Sequence, residues 1–391
     1  MVCVKCQCKC TGEGESAWLH PGSAEFDFRS TCPSFPEHIY IYFKTHAFLF
    51  IGDVQTTPTA EMLEAITHAS LGNDVSYDDE STAALQNYVA EITSHEDALF
   101  VLSGTMGNLL AIRSLLTQPP YGVLSDARSH FLTTEAGGTF SFTGAVAQPV
   151  EASNGQYLTL EDILPRVKIN PGKNVHMVPT RVIVLENTLR GMVMPLNETQ
   201  RICEFAHKND IKVHLDGARL WEAVVHCSRE PSVYLRTLKQ YCSLFDTVTM
   251  CFTKGLGAPV GSILVGSKAV IRQARWLRQS IGGGVRQPGP LAACAYTALK
   301  KTFEDGLLER PQEMAMDISA FWEEKCGGRL LHITETNMLW LDLSNQQFTL
   351  EDLRTKAQER GLHISRERLV IHYRKYYVQL RRTIQHLEDK F

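Results

Sequence analysis

Lys254 closes an apolar, β-branched run in Asp246-Thr-Val-Thr-Met-Cys-Phe-Thr-Lys254-Gly-Leu-Gly257, where a glycine-rich turn follows the lysine at once. Upstream, Ile211-Lys-Val-His-Leu-Asp216-Gly-Ala-Arg219 ends a second such run in an aspartate. A lysine and an aspartate at the ends of neighbouring parallel strands suit one kind of covalent catalysis. The amine can hold an aldehyde as a Schiff base, while the carboxylate keeps a pyridine nitrogen protonated so that the ring accepts electrons. The pair predicts pyridoxal phosphate as cofactor.

Such a cofactor also needs a phosphate cradle. In Ala98-Leu-Phe-Val-Leu-Ser103-Gly104-Thr105-Met-Gly-Asn108 a strand turns into a helix through small and hydroxylated residues. That turn leaves backbone N–H groups at a positive helix end, where a phosphate binds well. Ser103 or Thr105 would equally serve as a plain N-cap. Arg286 follows three glycines in Gly282-Gly-Gly-Val-Arg286 and is either a phosphate clamp, with a subunit boundary to cross, or a solvated side chain. Arg219, three residues past Asp216, can fork two donors onto an α-carboxylate, although an exposed arginine at a helix start is as common. His130 can stack on the cofactor ring or carry a substrate proton, against the alternative of an ordinary structural histidine. Glu135-Ala-Gly-Gly138 suggests a helix ending near the same cleft, and His176 reads by default as a loop histidine.

The elements that must position these residues follow a regular order. From Thr59 onward helical periodicity alternates with short apolar runs, the pattern of a parallel sheet flanked by helices. Strands are predicted at 98–102, 122–124, 145–150, 181–186, 211–216, 247–252 and 262–265, and helices at 59–70, 80–94, 105–116, 160–168, 198–209 and 268–279. Beyond Phe303 the pattern becomes helix, two strands around 331–343, a helix at 350–359, short strands and a final helix from Tyr376. The predicted class is α/β, an open and mostly parallel sheet of about seven strands, with a smaller C-terminal α+β domain. The domains expected are an N-terminal extension at 1–52, a large domain at 53–303 and a small one at 304–391.

With 391 residues the chain can bury a large core. A net charge of -4 without blocks of like charge gives no electrostatic reason to expect nucleic acid or an anionic membrane as partner. The eleven cysteines show no disulfide framework, which favours a reducing, cytoplasmic setting. Cys3, Cys6, Cys8 and Cys10 lack the second ligand pair of a zinc knuckle and read as solvated thiols, so no metal is predicted. The opening residues do not form a secretory signal, and 39–52, interrupted by Lys44 and His46, is shorter than the ~20 residues that span a bilayer.

Taken together, Ser103-Gly-Thr-Met-Gly-Asn108, Glu135-Ala-Gly-Gly138, Leu185-Glu-Asn-Thr188, His214-Leu-Asp-Gly-Ala-Arg-Leu220, Phe252-Thr-Lys-Gly-Leu-Gly-Ala-Pro-Val-Gly-Ser262 and Gly282-Gly-Gly-Val-Arg-Gln287 resemble the L-threonine aldolase family of fold-type-I pyridoxal phosphate enzymes. The likeness runs from about Asp53 to His372, and the Leu-Glu-Asn-Thr-Leu wording resembles the fungal branch. The resemblance implies Lys254 as the Schiff-base lysine, Asp216 as the pyridine partner and His130 as the stacking imidazole. It implies phosphate contacts from Gly104, Thr105 and Arg286, beside Ser103 of the same cofactor-binding turn, and carboxylate contacts from Ser30, Arg219 and Arg368. His176 falls at a second family histidine linked to proton transfer. Members are commonly homotetramers with active sites at subunit interfaces, so a homotetramer or homodimer is expected.

Three departures from the family pattern stand out. Phe26-Asp-Phe-Arg-Ser30 is separated from Asp53-Val-Gln-Thr-Thr-Pro-Thr59 by the stretch 31–52, where the family motif is unbroken. Its mixed aromatic and apolar content without a clean period suggests a translated, unspliced intron; a genuine stretch would instead loop out near the active-site entrance. Ser76-Tyr77 stands where the family has an aromatic residue and then glycine, so that either Tyr77 replaces the aromatic from one place along or the one-residue shift turns its side chain away. Ile371 precedes His372 where threonine is common.

The implied reaction is cleavage of L-threonine or L-allo-threonine to glycine and acetaldehyde, with His130, His176 or a water as base. The alternative within the same site is an alanine racemase of the kind that supplies D-alanine to fungal peptide natural products. A scaffold that has lost catalysis is a third class, opposed by the retention of Lys254 and Asp216.

Overall fold

The computed structural model describes Phe50, residues 52–169, residues 174–373, Leu380 and Ile384. Ser30, the cysteine cluster, most of the stretch 31–52 and the start of the final helix at Tyr376 lie outside the described residues.

Seven strands form one sheet: β1 (Asp97–Val101), β2 (Gly122–Asp126), β3 (Val146–Val150), β4 (Thr180–Glu186), β5 (Lys212–Asp216), β6 (Thr247–Cys251) and β7 (Ser262–Gly266), in the order β1-β7-β6-β5-β4-β2-β3. The five from β6 to β3 are parallel, and β7 is antiparallel to both its neighbours. Two antiparallel steps return β1 to the common direction. All six strands that share that direction therefore end at one edge, and it is this edge that carries Asp126, Glu186, Asp216 and Cys251. In open α/β sheets the crevice beyond those carboxyl ends is where ligands bind. Helices cover both faces, so β2, β6 and β7 are buried along their whole length, as their unbroken apolar or small-residue runs require.

Each helix that bears on the site starts from a local cap. Thr59 and Asp79 take backbone N–H groups of the helices Ala60–Thr67 and Glu80–Thr93, and Ser103 does so for the helix Gly104–Leu115. The predicted helix over 160–168 stops at Ile163, because Pro165 has no N–H to continue the ladder. The crossover from β5 to β6 holds two further helices, Leu220–Ser228 and Pro231–Cys242, and Gly289–Ala298 adds another.

A second sheet, β8 (Arg329–Leu330), β9 (Met338–Asp342) and β10 (Arg368–Val370), packs with the helices Glu309–Lys325 and Leu350–Gln358 around its own core of Trp322, Leu339, Leu353 and Leu369. Ile371 is fully buried there, so the departure from threonine is a packing change. Phe50, near the end of the stretch 31–52, is buried in this core and donates its N–H to His363 O at 3.0 Å. The loop after β4 ties this sheet to the large one: Glu335 accepts the Val193 N–H at 2.7 Å, and Trp340 Nε1 donates to Arg190 O at 2.9 Å. That docking brings the start of β10, and so Arg368, to the carboxyl edge of the large sheet.

Candidate active site

Asp216 ends β5 and Lys254 lies three residues beyond the end of β6, its parallel neighbour. The turn that carries the lysine is pinned from several directions. Its carbonyl accepts from Gly257 N at 3.0 Å, the Thr56 hydroxyl donates to Thr253 O at 3.0 Å, and His372 Nε2 lies 3.1 Å from Gly255 O. Asp216 is buried, and each of its carboxylate oxygens receives an N–H: from Asn108 Nδ2 at 2.8 Å and from the Ala218 backbone at 3.1 Å.

Glu186, half-buried, ends β4 directly opposite Asp216 in the register, so the two carboxyl groups stand on neighbouring strand ends. Burial, and then the charge on Asp216, push the Glu186 carboxyl up to about 8. Glu186 therefore holds a proton at neutral pH, which avoids two adjacent buried charges. Its Oε2 accepts the backbone N–H of His130 at 2.8 Å, and His130 Nδ1 lies 2.8 Å from Glu135 Oε1. Glu135 raises the His130 imidazole above its ordinary value, and the ring itself remains partly open to solvent. Polar atoms of His130, Glu135 and Asp216 lie within 4.8 Å of one another, so the imidazole and the strand-end aspartate share one pocket.

The predicted phosphate turn adjoins them. Ser103 Oγ accepts from Met106 N at 3.1 Å, which leaves the Gly104 and Thr105 amides, in the first helical turn, without an acceptor among the described residues. The helix can approach β6 only because two residues lack side chains. A Cβ on Gly104 would lie 2.9 Å from Cys251 Sγ, and one on Gly107 would lie 2.5 Å from Thr249 Cγ2. Free amides at a helix start, a lysine amine and a buried carboxylate along one sheet edge fit the phosphate, aldehyde and ring nitrogen of pyridoxal phosphate.

Arg219 meets Asp53 through two donors, and Asp53 is the residue around which the predicted cations gather. Burial opposes charge on Asp53, but Arg219 first and then Lys254 and Arg368 hold its carboxyl well below the usual range. Arg368 sits over the Trp340 ring with its guanidinium carbon 5.7 Å from the centroid. Asp53 stands out in sequence only as part of the interrupted N-terminal motif. Asn108, Glu135 and Glu186 likewise belong to quoted motifs, yet no local pattern reveals which partners they meet.

Other predicted residues lie apart. Arg286 is exposed, and its contact is through its carbonyl, which accepts the Asp74 N–H at 3.0 Å. His176 is exposed just before the amino end of β4, at the opposite edge of the sheet from Glu186, and its ring makes no hydrogen bond among the described residues. Tyr77 takes the left-handed conformation, φ 62°, which accounts for glycine at that family position. Its ring turns outward beneath the Arg275 guanidinium at 4.6 Å.

Residues 50–346 match the beta-eliminating lyase family. The chain is 45% identical over 356 residues to the aldolase vrtJ of Penicillium aethiopicum, covering 91% of this chain and 84% of that protein. It is 38% identical over 363 residues to the alanine racemase TOXG of Cochliobolus carbonum, covering 91% and 85%. To the low-specificity L-threonine aldolase of Candida albicans it is 42% identical over 295 residues, covering 75% and 76%. The solved structure of Leishmania major threonine aldolase matches with a TM-score of 0.71 at 22% identity, over 88% of this chain and 99% of that one, a likeness of fold. The chain belongs to the beta-eliminating lyase family, in the fungal threonine aldolase branch, and is a pyridoxal phosphate-dependent lyase.

Proposed function

We propose that this protein cleaves L-threonine and L-allo-threonine to glycine and acetaldehyde by breaking the Cα–Cβ bond. The observation that carries the proposal is that Asp216 ends one strand and Lys254 follows the end of its parallel neighbour, with His130 sharing the Asp216 pocket and a helix start with free amides on the same sheet edge. When bound, the cofactor supplies an electron-accepting ring for the pair released at Cα.

The chain's own residues hold and orient the reactants. Lys254 would carry the cofactor, Asp216 would serve its ring nitrogen, His130 would lie beside the ring, and Ser103, Gly104 and Thr105 would hold its phosphate. Arg368 and the unoccupied donors of Arg219 would grip the substrate carboxylate and so fix the orientation of the bonds at Cα. His130 Nε2, or a water, removes the β-hydroxyl proton as the C–O bond becomes the aldehyde carbonyl and Cα–Cβ breaks. A proton is then returned to Cα. Arg286 would clamp the phosphate across a subunit boundary, in a homotetramer or homodimer, His176 is a further candidate base, and Ser30 adds a carboxylate contact. The division into a cofactor domain at 53–303 and a small domain at 304–391, and a cytoplasmic setting, belong to the same proposal.

The stretch 31–52 is a translated intron in this reading, a point that sequencing of the messenger RNA decides. Racemisation of alanine is the second reading, favoured by the likeness to the alanine racemase. Purified protein supplied with pyridoxal phosphate is incubated with L-threonine and, separately, with L-alanine. Acetaldehyde from the first and no D-alanine from the second is the expected result; the reverse overturns the assignment. Borohydride reduction attaches the cofactor to Lys254, and a tag on any other residue removes the basis of the proposal.

A further inference from the structure

A buried chain of hydrogen bonds runs behind the cofactor site. Thr247 Oγ1 lies 2.9 Å from His214 Nδ1, and His214 Nε2 lies 3.1 Å from Asn108 Oδ1. On its other side Asn108 Nδ2 lies 2.8 Å from Asp216 Oδ2 and 3.0 Å from Glu135 Oε1, and Glu135 Oε1 also meets His130 Nδ1 at 2.8 Å. Asn108, His214 and Thr247 are all at most 1% exposed, so water cannot replace these partners.

The proton arrangement follows from chemistry. Two carboxylate oxygens face one end of the Asn108 amide. Carboxylates only accept, so that end is the NH2 group, with one hydrogen for each. The carbonyl end then faces His214 Nε2, which must carry the imidazole proton. Burial pushes the His214 imidazole down to about 4, so at neutral pH it carries that proton alone. Nδ1 is left bare to accept from the Thr247 hydroxyl. Every donor in the chain points towards Asp216 and Glu135.

We propose that Asn108, held in one orientation by His214, is a positioning residue that keeps Asp216 and Glu135 as paired acceptors, the first for the cofactor ring nitrogen and the second for His130 Nδ1. The inference rests on the reading that Asp216 faces the ring nitrogen. One amide thus sets the two groups that hold the cofactor ring and aim the imidazole. Without it, two carboxyl groups close together in a buried pocket would share a proton, as close acidic pairs do. Asp216 would then lose the charge that a protonated ring nitrogen needs.

Two measurements test the proposal. The first is NMR of the cofactor-free protein with 13C,15N-labelled histidine, with the His214 ring nitrogens assigned by correlation through its own side chain to the backbone. The Nε2–H form is expected at neutral pH, and the Nδ1–H form would overturn the proposal whether or not any variant folds. The second is titration of wild type and Asn108→Asp with pyridoxal phosphate, following the visible band. Asn108→Asp keeps the shape and removes both donors. A hydrogen bond to a charged group is worth enough that its loss should weaken binding by about ten- to a hundredfold. A wild type that develops no band overturns the reading of Asp216 and this inference with it. A normal wild-type band with unchanged affinity in Asn108→Asp overturns this inference alone.

Discussion

Arg219 turns one whole edge of its guanidinium onto Asp53, with Nε 2.5 Å from Oδ2 and Nη2 3.0 Å from Oδ1. The two-donor fork that would suit a substrate carboxylate is therefore already made within the protein, and under the proposed function a substrate would meet only the donors on the remaining side. Both partners are largely buried, so breaking the pair strands a charge. Asp53→Asn should destabilise the fold by about 3–5 kcal/mol, whereas the double variant with Arg219→Met should recover part of that loss. Urea unfolding of the two variants and of Arg219→Met alone measures it. A single variant no worse than the double would show that the fork contributes little.

His130 owes its raised titration first to the hydrogen bond with Glu135. Glu135→Gln removes the negative acceptor, so the imidazole should titrate at lower pH, and the acid limb of the rate profile should move down with it. NMR titration of the His130 ring in wild type and variant reads the shift directly. As proton acceptor in the reaction, His130 replaced by Phe should cost about 10²–10⁴ in kcat. A rate kept in His130→Phe would transfer the proton step to water or His176.

Glu186 gives a pH dependence of definite sign. Its folded value is pushed up to about 8 from an ordinary 4.5, by burial and then by Asp216. Between those values the folded chain keeps a proton that the unfolded chain releases. This contribution to stability is complete below the lower value and disappears as pH rises through the upper one. Glu186→Gln cannot titrate, so the cofactor-free variant should lose less stability than wild type between about pH 5 and about pH 8. Parallel curves for the two proteins in urea would mean that Glu186 is charged at neutral pH.

Gly107 leaves room for Thr249, and Gly107→Ala would press a methyl group to 2.5 Å from Thr249 Cγ2. Overpacking of this kind costs about 1–3 kcal/mol and should also push the helix Gly104–Leu115 away from β6. Adding Thr249→Ala removes the colliding atoms and should restore most of the thermal stability. Failure of that rescue would place the clash elsewhere.

Much of the site could be read from the chain because it is built from strand ends and helix caps. The apolar runs ending in Asp216 and ahead of Lys254 predict both the strands and the residues at their ends. Ser103 followed by glycine predicts the capped turn beside them. The bounds of β1 to β7 fall within a residue or two of the apolar runs that predict them. Other expectations depended on direction in space. A shift of one position along the chain sends Tyr77 outward to Arg275, and the parallel strand direction puts His176 at the far edge of the sheet.

The sequence by itself determined which side chains stand at the mouth of the sheet, since caps, glycine turns and strand ends are set within a few residues. Only the tertiary structure decided how they are joined. Asp53 and Arg219 are 166 positions apart, and Asn108 and Asp216 are 108 apart. The physical reason is that such contacts are fixed by strand order and by the close approach of a helix to a neighbouring strand, which no local pattern encodes.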